Sequence, residues 1–558
     1  MNNPLKNAQM GDRTTLQFSF LNRKKNIERF DAEEFDLLIV GGGITGAGVA
    51  WDAVSRGLKV ALVEKDDFAQ GTSSRSSKLI HGGLRYLENQ EFGLVFEALS
   101  ERAYLLENCP HLVRPLPFFM PIYQGDAHPG WMISAGMWLY DVLAMFRAPG
   151  LHQKLSSGAV ARHIPFLKQE KLECAFKYFD ASMWDDALVL DVLAKAHEKG
   201  AAIVSRCQAV ESKKNSAGRI VQMKVRDQLG NKEHWIRFKK LVVCAGVWTD
   251  EVGKMMDSSN WKNWLAPSRG LHLVFDWKRI PVPGAVVMQH PEDGRISFVI
   301  PRKDYGQGVT LVGTTDGPCT LGPDQIENEA AGIAQDKNYL MKLLNTYFPD
   351  LKLNDDDVVS HYIGIRPLVD PKRANAQSGS TSNQSSLQQV SREHTIDHGP
   401  GESVIVAGGK YTTFRKMAEE IVDFAMHGEA DWKDQQRNRL SDEPIFEPAM
   451  PSLILAARER ARGMGYVIPE KLYERYGADA LEIAKINEVS CQTNPHLPDP
   501  EGFPWLEAQF RYAVRHQMVL SVEDFVRRRQ PLYLCRADQG APWFPMLEKA
   551  LADELNSR

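Results

Sequence analysis

The segment Gly41-Gly42-Gly43-Ile44-Thr45-Gly46 constrains this chain more than any other stretch. It follows the apolar run Leu37 to Val40, opens a helical pattern that continues through Arg56, and is followed by a second buried run from Lys59 to Val63. A strand, a glycine turn, a helix and a strand within roughly 30 residues make one parallel crossover. In that context each glycine has a reason: Gly41 permits the tight turn, Gly43 lets backbone approach a pyrophosphate, and Gly46 lets the helix lie close to the strand. Ile44 opens the helix, whose free amides face the anion. Glu64 ends the second strand, where an acid accepts hydrogen bonds from ribose hydroxyls and disfavours a 2′-phosphate. No second GxGxxG stands in strand-helix context, so one dinucleotide site is expected, and the motif alone does not separate FAD from NAD.

The chain has 558 residues, which predicts about two to three domains. Two further buried-strand runs end in small residues, Leu241 to Val243 before Ala245 and Gly246, and Val404 to Ala407 before Gly408 and Gly409. Between them alternate the strands Leu271 to Phe275, Ile296 to Ile300 and Thr310 to Gly313, as in an antiparallel sheet. The expected architecture is α/β and α+β: a Rossmann-type dinucleotide-binding domain over 35–430, interleaved with an antiparallel-sheet substrate domain at about 111–189 and 265–360, and an all-helical C-terminal domain over 431–558. Residues 376–389 read as a polar surface loop. Residues 1–34 carry Arg23, Lys24, Lys25 and Arg29 among Phe20, Leu21, Ile27 and Phe30; they read as a solvated tail or, with less weight, a basic amphipathic arm.

A net charge of -4 argues against broad nucleic-acid binding. Seven scattered cysteines without a CxxC predict a reduced, intracellular chain and no metal site. The apolar run from Trp131 to Phe146 includes Asp141 and is shorter than the roughly 20 residues that span a bilayer.

After the crossover, Gly71-Thr72-Ser73-Ser74-Arg75-Ser76-Ser77-Lys78 is dense in hydroxyls that can wrap a pyrophosphate or flavin edge. Joined to Leu79-Ile80-His81-Gly82-Gly83-Leu84-Arg85-Tyr86, it closely resembles the FAD-dependent, aerobic bacterial-type glycerol-3-phosphate dehydrogenases. Supporting stretches are CAGVWTD at 244–250, FVIPR at 298–302, VGTTDG at 312–317, GIRPLV at 364–369, SREHTID at 391–397 and GGKYTTFRKMAE at 408–419. EAQFRYAVRHQM at 507–518 looks like the family's tail, so the resemblance covers about 35–530 and is weakest in the first 34 residues and at 376–389.

The resemblance implies oxidation of sn-glycerol 3-phosphate to dihydroxyacetone phosphate on non-covalent FAD, with electrons leaving to a membrane quinone. It carries cofactor contacts to Gly41, Gly43, Ile44, Gly46, Glu64, Thr72, Ser73, Lys78, His81, Ala245, Gly246, Gly409, Lys410, Thr412 and Thr413. Substrate contacts go to Arg85, Tyr86, Arg366, Arg392 and Lys410; a phosphate dianion calls for such fixed cations. His81, His272, Arg366 and Lys410 are the catalytic candidates. Removing the alcohol proton suits a histidine, and either His81 or His272 fits; Arg366 orients substrate and stabilises charge on the reacting oxygen. A helix starting near Thr412 would aim its amides at the flavin pyrimidine.

A quinone acceptor implies peripheral contact with the inner face of the cell membrane, for which Trp131 to Phe146 supplies aromatic and aliphatic residues, although a core helix fits as well. Neither an EF-hand loop nor a transit peptide is visible, which favours a bacterial-type enzyme on the cytoplasmic side. The competing readings are a glycerol-3-phosphate oxidase releasing hydrogen peroxide, an amine or 2-hydroxy acid oxidase, and a non-catalytic flavin-bearing module. Nothing in the residues fixes the oligomeric state, a homodimer included.

Overall fold

The computed structural model describes residues 18–83, 87, 91–319, 321–371, 373, 394–429, 450–493 and 498–556. The expected crossover is present: the strand Glu34–Val40, the helix Ile44–Ser55 and the strand Val60–Val63, paired parallel to the first. Around it the first sheet runs His394–His398, Val404–Gly408, Lys232–Val243, Glu34–Val40, Val60–Val63, Ala202–Val204, with the hairpin Cys207–Lys214 and Ile220–Asp227 added beside Lys232–Val243. Leu37 and Ile39 pack towards Ala47, Leu188 and Phe414 of the helices on one face. Phe35, Leu38 and Val40 pack into a separate core with Ile27, Phe30 and Phe238. Burial on both faces explains why this strand reads as a continuous apolar run.

The N-terminal arm departs from expectation. Phe20–Ala32 is a helix, N-capped by Ser19, whose hydroxyl accepts from the Asn22 N–H at 3.4 Å. Ile27 and Phe30 are buried, and Arg23 pairs with Asp227 at 2.6 Å while donating to the Ser205 carbonyl at 2.9 Å. Lys24 and Lys25 are exposed. For Phe20–Ala32 the tail reading failed because the partner of Arg23 lies about 200 residues away on the hairpin, where no local pattern reveals it; residues 1–17 lie outside the described residues.

The second sheet runs Gly317–Pro318, Ser268–Asp276, Val309–Gly313, Ile296–Arg302, Ala285–Gln289, Val113–Tyr123, Leu172–Met183, Leu79–Ile80. Val358–Arg366 pairs with Ser268–Asp276 and carries the sheet past the expected boundary at 360. Leu79–Ile80, which follows the hydroxyl-rich segment, is its edge strand on Leu172–Met183, so that segment leads directly into the substrate sheet. Beyond residue 450 every described regular element is helical, from Met450–Gly463 to Phe544–Asn556. These helices enclose cores of their own around Phe510 and Phe525 and around Tyr473 and Ile483.

The apolar run at 131–146 forms the helix Gly130–Leu143 and the turn after it. It buries Met137, Tyr140 and Asp141 but leaves Trp131 74% and Phe146 58% exposed, with Met132, Trp138, Val142 and Met145 also on the surface. Among the described residues no helix is long and apolar enough to cross a membrane. The loop at 376–389 lies outside the described residues.

Candidate active site

The glycine turn, the end of the second strand and one end of the antiparallel sheet enclose a cavity of about 660 Å³. That is within the size range of cofactor pockets. At Gly41, φ is +114°, and an added Cβ would lie 2.4 Å from the Cys244 carbonyl oxygen; at Gly46 it would lie 2.0 Å from that of Gly41. Gly46 therefore acts by close helix-strand approach and does not line the cavity, whereas Gly41, Gly43, Ile44 and Thr45 do. Glu64 lines it too, accepting from the Gly42 N–H at 2.7 Å and the Asp66 N–H at 2.9 Å. Burial raises its pKa against those two bonds. Each carboxylate oxygen keeps a further lone pair for a ribose hydroxyl.

The hydroxyl segment folds over this cradle. Ser73 accepts the Ile44 N–H at 3.0 Å, and Thr72 donates to the Ile365 carbonyl at 2.7 Å; both line the cavity. Lys78, expected at the cofactor, does not. It is 2% exposed, reaches Asp185 at 2.7 Å and donates to the Ser74 carbonyl at 2.9 Å. Asp185 begins the helix Asp185–Glu198 in full burial, and a carboxylate there requires a cation. Ser76 also donates to Asp185, at 2.7 Å.

His81, His272, Arg366, Gly409, Lys410, Tyr411 and Thr412 also line the cavity, as do Ala245 and Gly246. His272 sits on Ser268–Asp276, stacked on Tyr362 at 4.6 Å, with Nε2 2.9 Å from the Ser77 hydroxyl. Burial above all, then the charges of Arg366 and Lys78, lowers its pKa to about 3, so the ring is neutral. His81 is half-buried. Arg366 donates to the Thr314 hydroxyl at 2.9 Å and the Thr315 carbonyl at 3.0 Å and lies 3.3 Å from Asp316. Gly270 makes room for it, since a Cβ there would meet the guanidinium at 2.6 Å. The helix after Gly409 is Phe414–Met426 with Thr413 at its N-cap, so it starts later than expected, and Thr413 is buried off the cavity. Arg85, Tyr86 and Arg392 lie outside the described residues.

Sequence reasoning missed several wall residues. Arg75 lines the cavity while pairing with Glu327 at 2.9 Å, and Tyr411 donates to the Asp185 carbonyl. Both stand inside motifs already singled out, which was the available signal. Trp248, packed against Gly71, gave none beyond its place in CAGVWTD.

Amides at a helix N-terminus, a carboxylate at the end of the second strand, and a cavity continuing to an antiparallel sheet fit a flavin dinucleotide and define the class, an FAD-dependent oxidoreductase. The family model described as FAD dependent oxidoreductase matches residues 36–413, and that of the C-terminal domain of alpha-glycerophosphate oxidase matches 422–558. FAD is thus the cofactor. The aerobic glycerol-3-phosphate dehydrogenase of Staphylococcus aureus (strain USA300) is 32% identical over 525 residues, 91% of this chain and 88% of that one. Its counterpart in Staphylococcus haemolyticus (strain JCSC1435) is 32% identical over 554 residues, 97% and 94% of the two chains. The glycerol-3-phosphate dehydrogenase from Bacillus halodurans complexed with FAD superposes with a TM-score of 0.74 at 27% identity, covering 97% and 94%. The chain belongs to the aerobic, FAD-dependent glycerol-3-phosphate dehydrogenase family.

Proposed function

We propose that the chain oxidises sn-glycerol 3-phosphate to dihydroxyacetone phosphate and that its electrons leave to a membrane quinone. The observation that carries this reading is that Arg366, Lys410, His81 and His272 all stand on the wall of the FAD cavity. Bound FAD supplies a two-electron acceptor for the C2 hydride. Arg366 and Lys410 bind the phosphate dianion and the reacting oxygen, joined by Arg85 and Arg392 as the family resemblance implies, with Tyr86 over the substrate. His81 takes the hydroxyl proton at a ring nitrogen. His272, its Nε2 occupied by Ser77 and its proton affinity too low for the task, orients substrate as a neutral imidazole.

Quinone access is assigned to the exposed face of Gly130–Leu143, which would dock on the cytoplasmic surface of the membrane. The neighbouring helix Phe92–Asn108 packs beside it and exposes Phe92 and Phe96. On the buried side, the Tyr140 hydroxyl accepts the Gly82 N–H at 3.0 Å, next to His81.

Anaerobic bleaching of bound flavin by glycerol 3-phosphate tests substrate and chemistry together; a flavin that stays oxidised overturns the assignment. The match of residues 422–558 to a domain named for an oxidase favours a second reading, transfer to oxygen. Stoichiometric peroxide without reduction of a soluble quinone would establish that reading instead.

A further inference from the structure

Glu64 owes its position to the turn that follows it. Its carboxylate accepts the Asp66 N–H, the Ala69 N–H returns to the Gly42 carbonyl at 3.1 Å, and Phe68 is buried so close to Gly42 that a Cβ there would sit 2.6 Å from its ring. Next to Asp66 comes Asp67, 1% exposed and not on the cavity wall. A lone carboxylate buried this deeply would be neutral. Burial does raise its pKa, but Arg529 and Arg528 outweigh that and hold it at about 2.

Those arginines come from the far end of the chain, 461 and 462 residues away. Arg529 is 0% exposed and grips Asp67 with both terminal nitrogens, Nη1 to Oδ2 at 2.6 Å and Nη2 to Oδ1 at 2.8 Å. Arg528 donates to the same Oδ2 through Nε and to Asp524 at 2.9 Å. Asp524 also receives Arg206 at 2.6 Å, and the Arg206 N–H donates to the Asp66 carbonyl at 2.9 Å. The turn carrying Glu64 is therefore held from both sides by one buried charge network rooted in the helix Val522–Arg528 and the residue after it.

We propose that Arg528 and Arg529 are positioning residues for the adenosine half of FAD, acting through Asp67 on the turn that presents Glu64. A paired guanidinium fork fixes both position and orientation of a carboxylate, which a point charge does not. The C-terminal helical region thereby becomes part of the cofactor site without touching the cofactor. The inference rests on the assignment of Glu64 to the ribose.

The test uses the full-length holoenzyme and its Arg529→Lys variant, with Arg528→Lys as the second variant should the first not fold. Flavin fluorescence after dilution gives the FAD release rate, and the full-length apoprotein is titrated with ADP as a probe of the adenosine half alone. The expected result is FAD release faster by about ten-fold, ADP binding weakened by a similar factor, and an unchanged KM for glycerol 3-phosphate at saturating FAD. Arg511→Lys, which disturbs the buried pairs of Arg511 with Glu507 and Glu554 in the same region, should lower thermal stability and leave FAD release unchanged. Equal effects of Arg511→Lys and Arg529→Lys on release would reduce the network to a domain lock and overturn the proposal. So would wild-type ADP affinity in Arg529→Lys. Glu64→Gln separates the two readings: if it leaves ADP binding intact, the ribose assignment has failed, and if it weakens ADP binding while Arg529→Lys does not, only the present proposal has.

Discussion

Replacing His272 by glutamine tests the electrostatics of the site quantitatively. The imidazole is 3% exposed, and burial, then Arg366 and Lys78, brings its pKa from 6.5 to about 3. In the unfolded chain the same group titrates near its ordinary value of about 6.5. Between those values the unfolded state binds more protons than the folded one, so stability rises with pH: the contribution is complete above the unfolded pKa and is lost as pH falls towards the folded one. At pH 5 the unfolded imidazole is almost wholly protonated and the folded one neutral. Linkage then gives a loss of about 2 kcal/mol relative to pH 7, and about a third of that already at pH 6. Glutamine keeps a polar group near Ser77 and removes the titration. Urea unfolding of full-length protein at saturating FAD should show the variant gaining about 2 kcal/mol on the wild type between pH 7 and pH 5. A difference that stays flat over this range means that His272 takes up its proton in the folded protein as readily as in the unfolded chain, which would refute the argument from burial and restore His272 as a base.

Gly46→Ala should yield protein without bound flavin, because its Cβ would meet the Gly41 carbonyl oxygen at 2.0 Å; the flavin absorbance of purified protein checks this. Lys78→Met should cost about 3–5 kcal/mol by stranding Asp185, and Lys78→Met with Asp185→Leu should recover part of the loss in denaturant titration. Arg366→Ala should raise KM for glycerol 3-phosphate by roughly ten- to a hundred-fold, the equivalent of about 1.5–3 kcal/mol for charged hydrogen bonds, with FAD content unchanged in steady-state assays. Trp131→Ser combined with Phe146→Ser should abolish co-sedimentation with anionic vesicles while bleaching of flavin by substrate persists, since both side chains stand outside the core.

The parts of the fold that were legible are those built by local rules. Leu37 to Val40, the glycine turn and the helix after it follow from period and spacing, and both glycine contacts are made within this unit or against the adjacent strand. What escaped depends on pairing between distant residues. Arg23 looks like a surface charge until Asp227 faces it, and Lys78 looks like a phosphate ligand until Asp185 is buried beside it. A cation in a phosphate-binding run and a cation neutralising a buried acid have the same sequence signature, and only the third dimension separates them.

The same holds for the two histidines. His81 and His272 entered as equals, because residue type and task matched for both. Their difference is made by four neighbours from three other segments: the ring of Tyr362 stacked at 4.6 Å, the hydroxyl of Ser77 at 2.9 Å, the absent side chain of Gly313, whose Cβ would meet the imidazole at 2.5 Å, and the guanidinium of Arg366. Together they enclose His272 and keep it neutral, while His81 stays half-buried on the cavity wall. In the proposed mechanism two groups of one chemical type thus take separate duties, proton acceptor and neutral hydrogen-bonding partner, through solvation and charge alone. The assignment of the base is for that reason a statement about packing on the antiparallel sheet, and it stands or falls with the pH dependence of His272.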